Sequence, residues 1–238
     1  SYYIETLTNN VAEQAWKLFL EIEENGGFFA AIKAGSVQKA VKETATKRLK
    51  AVSSRREVLL GTNQFPNFSE VAAAKVEFKN EAGCGCDHTG VEKLVPVRAA
   101  EEFEALRFAT EAAAKRPKAF MLTIGSLAMR LARAQFSCNF FACAGYEVID
   151  NLGFKTVEEG VEAAQAAGAD IIVLCSSDDE YAELAPAAFK AIDGKQLFVV
   201  AGAPACADDL KAIGIEHFIN VKTNVLETLK QFNQLLSI

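Results

Sequence analysis

Three groups of residues in this chain have types and spacings that could do chemistry. Cys84-Gly85-Cys86-Asp87-His88 offers three ligands to a zinc ion. Closed zinc sites take four ligands at wider spacing, and the only other histidine is His217. A Gly-rich linker with exposed thiols is therefore the plainer reading. Asp178-Asp179 follow an apolar run, with Lys222 further on, which is how a phospho-receiver places its acceptor and its lysine. That chemistry needs Mg²⁺, held partly by an acidic pair after the first strand, and here the chain reads Thr123-Ile124-Gly125-Ser126. The plainer expectation is that Asp178 and Asp179 cap the next helix. Ser176-Ser177 have no neighbouring histidine or nucleophile elbow. Gly125 stands alone and makes no dinucleotide fingerprint.

The elements that must position these residues fall into two regimes. From Lys118 onward, strands and helices alternate. Strands are expected at Phe120–Ile124, Tyr146–Ile149, Ile171–Cys175, Leu197–Val200 and Phe218–Val221. Continuous apolar runs at the first, third and fourth suit parallel strands covered on both faces. Thr156 with Glu159, and Asn224 with Glu227, are capping boxes. Gly145, Gly168, Gly194 and Gly214 sit where helices should close. The rhythm predicts an α/β fold, a flavodoxin-like doubly wound parallel five-stranded sheet ordered 2-1-3-4-5. Ligands of such a sheet bind at its C-terminal edge, so the loops after strands one, three and four form the candidate site.

The first half reads differently. Asn10 with Glu13 predicts a helix start, followed by Val11, Ala15, Leu18, Phe19 and Ile22 on one face, with Gly26-Gly27 as its end. A second helix is expected over Ser36–Ser53, and the basic residues Lys47, Arg48, Lys50, Arg55 and Arg56 are read as a solvated face, with a contact to a partner subunit as the alternative. Val58–Thr62 reads as a short buried strand and residues 63–67 as a Pro-containing turn. Residues 67–98 read as a linker. A helix over about Ala99–Lys115 is stopped by Pro117.

Bulk numbers bound the rest. Half of the 238 residues are apolar, enough for one large or two smaller domains. A net charge of −6 with interspersed signs argues against nucleic acid. No apolar stretch approaches a membrane span. The N-terminal residues lack a signal-peptide layout, and a start at Ser is expected of a processed or truncated chain. Cysteines such as Cys138, Cys143 and Cys175 in apolar segments point to a reducing, cytoplasmic compartment.

Four segments carry a resemblance. They are SYYIE at the start, REVLLGTNQFPN over Arg56–Asn67, RAAEEFEALR before the last domain and IIVLCSSDDEYAEL within it. In this order the chain resembles the C-terminal part of the methylmalonyl-CoA mutase family, in its small-subunit form. The resemblance covers nearly the whole chain. It implies that residues 1–66 are the tail of a (β/α)8 barrel, that residues 67–117 are linker and helix, and that residues 118–238 are a cobalamin-binding-type domain.

Cobalamin-binding members of that family carry D-x-H-x-x-G after the first strand, where the His ligates cobalt and the Asp orients it. The matching positions here hold Leu127, Met129 and Ala132. A family S-x-L after the third strand matches Ser176-Ser177-Asp178, and paired glycines after the fourth match Ala201-Gly202. The resemblance therefore implies no catalytic residue, cofactor or metal on this chain. Adenosylcobalamin is expected on a homologous large subunit, the partner in a heterodimer. The lapsed positions are expected to have become core, with Met129 as filler in an apolar Leu127–Phe140 helix and Asp178 buried. Two other readings stay open: a corrinoid-binding module that uses a ligand other than His, and a stand-alone phospho-receiver.

Overall fold

Five apolar runs pair side by side into one parallel sheet. The structure, a computed structural model, describes residues 1–72, 90–94 and 96–238. The strands are β1 (Lys118–Thr123), β2 (Glu147–Ile149), β3 (Ile171–Cys175), β4 (Leu197–Ala201) and β5 (His217–Ile219). Their order is β2-β1-β3-β4-β5 and every pairing is parallel, as the alternating pattern predicts. Register places Phe120 beside Ile172 and Ile172 beside Phe198.

Alternate strand residues feed two cores, because side chains along a strand point to opposite faces. Ala119, Met121, Ile171, Val173, Val199 and Ala201 pack on one face with Phe103 of α4 (Glu101–Ala112), with Phe140 and Phe141 of α5 (Leu127–Ala142) and with Leu229 and Phe232 of α9 (Val225–Leu235). Phe120, Leu122, Ile172, Leu174 and Val200 pack on the other with α6 (Val157–Ala166), α7 (Tyr181–Ile192) and α8 (Ala207–Ala212). The expected caps form: Thr156 and Asn224 each accept a hydrogen bond from the amide three residues on, at 3.2 and 3.3 Å. Gly145, Gly168, Gly194 and Gly214 follow the ends of α5 to α8 with positive φ.

The described residues divide into two compact units. Residues 1–49 group with 90–94, 96 and 97, and residues 50–72 group with 98–238. The first unit holds α1 (Tyr2–Glu24), α2 (Gly27–Lys33) and most of α3 (Ser36–Ser53). Here the expectation for the first helix needs correcting. It begins at Tyr2 rather than Asn10, since extending an existing helix costs far less than nucleating a new one, and Asn10 lies inside it. Nothing on α1 is buried: Val11, Trp16, Leu18 and Phe19 are all exposed, with Trp16 stacked on Phe19.

A second correction concerns Val58–Thr62. No strand forms there; only an isolated bridge joins Leu60 and Gln64, and Val58 and Leu60 are exposed. The chain turns back at Gly61, and the fully buried Asn63 takes over the backbone hydrogen bonds that a neighbouring strand would have supplied. Its Oδ1 accepts from the Leu59 amide, and its Nδ2 donates to the carbonyls of Val52 and Glu57. Arg55, expected on a solvated face, instead clips the turn to α5, donating to the carbonyls of Asn63 and Asn139 with its guanidinium against the Phe136 and Phe140 rings. The helix before the sheet is also shorter than expected, ending at Ala112.

Candidate functional site

Strand order reverses between β1 and β3, so the cleft between their C-terminal ends is where a ligand of this fold would sit. The chain's own Glu180 occupies it, and Tyr181 packs beside it. Glu180 stands just before α7 and reaches towards β1. Its carboxylate accepts from the Ser176 hydroxyl at 2.5 Å, the Ser177 hydroxyl at 2.6 Å and the Ser177 amide at 3.2 Å. Across the cleft it accepts from the amide of Ser126, also at 3.2 Å. The two serine hydroxyls do most to lower its pKa, to about 2, and the amides add to this.

Tyr181 fills the space between β3 and β4. It is fully buried, its hydroxyl donates to the Ala201 carbonyl at 2.7 Å and it accepts from the Ser176 amide at 3.0 Å. Gly202 lies against it, for a Cβ there would come within 2.8 Å of the ring and 2.7 Å of Asp178 Oδ1.

Gly125 is required for two reasons. Its φ is +81°, and a Cβ would collide with the Glu180 carboxylate. Gly125→Ala is therefore expected to lose about 2 kcal/mol of stability through backbone strain and the displaced carboxylate. Chemical denaturation checks this, and a variant as stable as the parent would contradict it.

The residues singled out from sequence lie around this cleft but not as expected. Leu127 is 61% exposed and Met129 37%, so neither is core filler. α5 enters at the sheet edge, and its buried residues begin only at Ala134, where the strands provide a wall. Ala132 is exposed too. Asp178 is exposed rather than buried and pairs with Arg133, at 3.1 Å from both carboxylate oxygens. Neither Asp178 nor Asp179 caps α7; the turn before that helix is held by Glu180. Ala201 is fully buried. Arg130 joins the β1 and β2 loops through the carbonyls of Gly125 and Leu152.

Cys84, Cys86 and His88 lie outside the described residues. His217 is half-buried on β5 with its ring edge-on to Phe232, and burial lowers its pKa. No group of three His, Cys, Asp or Glu that could hold a metal occurs among the described residues. No helix among them is long and apolar enough to cross a membrane.

Glu180 and Tyr181 were not among the candidates read from sequence. A signal was present: Ser177 and Glu180 have the S-x-x-E spacing of a capping box. What that spacing does not reveal is that the glutamate also reaches Ser126, on another loop.

The family model described as methylmalonyl-CoA mutase matches residues 1–138. The chain belongs to this family. The methylmalonyl-CoA mutase small subunit of Porphyromonas gingivalis (strain ATCC BAA-308 / W83) is 62% identical over 98% of this chain and 38% of its own length. That of Streptomyces virginiae is 35% identical over 81% of the chain and 30% of its own length. The methylmalonyl-CoA mutase large subunit of the same P. gingivalis strain is also similar, at 30% identity over 48% of the chain and 16% of its own length. The chain thus spans about a third of the length of the small subunits it matches.

Proposed function

We propose that this chain is the C-terminal part of a non-catalytic small subunit in a heterodimeric, adenosylcobalamin-dependent mutase. The partner is a homologous large subunit, which holds the cofactor and interconverts methylmalonyl-CoA and succinyl-CoA. The compartment is the cytoplasm, in keeping with the free, buried thiols of Cys138, Cys143 and Cys175. Residues 1–66 belong to a (β/α)8 barrel on this reading, and residues 67–117 lead from it to the flavodoxin-like domain at 118–238. The exposed apolar residues of α1 support this, because a barrel helix turns such a face onto its strands.

The observation that carries the proposal is that the chain's own Glu180 occupies the cleft at the switch point, while Tyr181 fills the neighbouring space between β3 and β4. The residues around it do not fit a corrinoid. At the ligand position Met129 offers a weak, neutral thioether on the surface, and Leu127 has no polar atom with which to orient a ligand. Ala132 adds a side chain where the family's glycine lets the corrin tail approach. Asp178, Arg133 and Glu180 line the entrance with groups already paired among themselves or with the serines. No catalytic step is assigned to this chain.

Mixing the chain with hydroxocobalamin or adenosylcobalamin and then desalting is expected to leave it colourless. Stoichiometric retention with a base-off spectrum would overturn the proposal in favour of a corrinoid-binding module. The full-length subunit is expected to co-purify with the large subunit encoded in the same genome.

A further inference from the structure

The donors at the switch point form a set that an oxyanion could use. They come from both sides of the cleft: the Ser126 amide after β1, and the Ser176 hydroxyl with the Ser177 amide and hydroxyl after β3. All four are neutral. Among the described residues no salt bridge to Glu180 forms; Arg133 pairs with Asp178, and Arg130 donates to two carbonyls. A carboxylate held only by converging neutral dipoles is stabilised as a bound oxyanion would be. Its approach depends on Gly125, which leaves room for the carboxylate against the loop. The backbone that carries Glu180 is fixed by the next residue, Tyr181, through its hydrogen bonds to Ala201 and Ser176. Only the Glu180 side chain would have to swing away to expose the four donors.

We propose that Glu180 is a built-in occupant of the switch-point cleft, an autoinhibitory carboxylate that uses up the donors of the β1 and β3 loops and so excludes oxyanion ligands. This rests on the reading above that the edge takes no corrinoid, and adds what closes it. The loops are ordered across the cleft by a side chain of the protein instead of a ligand. An oxyanion would have to displace a tethered carboxylate, whose effective concentration at the site is high.

Inorganic phosphate is the probe. The amide resonances of Ser126 and Ser177 are followed in the whole chain at neutral pH, in the parent, in Glu180→Ala and in Glu180→Gln. The parent resonances are expected to stay still. In Glu180→Ala they should move saturably, with affinity about tenfold or more above that of the parent. Glu180→Gln should fall between, because it keeps the length but loses the charge; it carries the test if the alanine variant fails to fold. Unmoved amides in the folded variants would overturn the proposal, and so would a parent that responds as strongly. A response in Glu180→Ala that survives the added substitutions Ser176→Ala and Ser177→Ala would mark an adventitious ion only, and would overturn it too. Cobalamin retained by the parent chain overturns the parent reading alone, since that result is read on a different ligand and without the variants.

Discussion

Replacing Asn63 with alanine is expected to destabilise the 50–72 and 98–238 unit by about 3 kcal/mol. The side chain is fully buried and makes three hydrogen bonds, at 2.8 Å from the Leu59 amide, 2.8 Å to the Val52 carbonyl and 2.9 Å to the Glu57 carbonyl. Alanine leaves all three backbone groups without that partner, and each buried group left unsatisfied costs about 1–3 kcal/mol. Water reaching the half-exposed Glu57 end offsets some of this, which places the total at the lower end of the summed range. Asn63→Asp should be at least as damaging. It keeps an acceptor for Leu59 but loses both donated hydrogen bonds and sets a carboxylate against two carbonyl oxygens. The urea midpoint should fall in both variants with little change in slope. An Asn63→Ala variant within about 0.5 kcal/mol of the parent would show that the turn is held by other contacts, with Arg55 the first candidate.

That result bears on the REVLLGTNQFPN segment, which carried much of the family resemblance. Its local role was not legible. Leu59 and Leu60 have the residue types of a strand, yet the turn is decided by one polar side chain bonding to backbone at residues 52, 57 and 59. Hydrophobic periodicity is blind to such bonds. The sheet, by contrast, was legible down to its order, because strands covered on both faces must be apolar throughout and the right-handed crossovers leave few topologies. The caps at Thr156 and Asn224 were legible because their hydrogen bonds close within three residues. At the site, sequence matching located the right loops but assigned the wrong environments. Leu127 and Met129 are apolar, and burial was inferred from type alone. Whether an apolar residue on α5 is buried depends on how far the strands extend beside it, a property of the whole sheet. Glu180 was missed because its partner Ser126 lies 54 residues away.

Tyr181 gives the larger of the expected losses. Truncation to alanine should destabilise the fold by about 4 kcal/mol, the range for a large aromatic side chain removed from a packed core. The ring has no exposed surface and packs with Leu174, Val200 and Ala185 in the core on its side of the sheet. Tyr181→Phe isolates the polar share. It leaves the Ser176 amide and the Ala201 carbonyl without the phenolic oxygen, at an expected cost of about 1–2 kcal/mol. The two variants should also differ at the cleft. Tyr181→Phe keeps the ring against Gly202, whereas Tyr181→Ala removes the wall that fixes the start of α7. Amide exchange at Ser176 should rise in both, and exchange at Ser126 should rise in Tyr181→Ala alone, because only there does Glu180 lose its fixed backbone. Equal exchange at Ser126 in the two variants would mean that Glu180 is positioned by its serine contacts alone. The ring would then be core and nothing more, and closure of the switch point would rest entirely on the carboxylate.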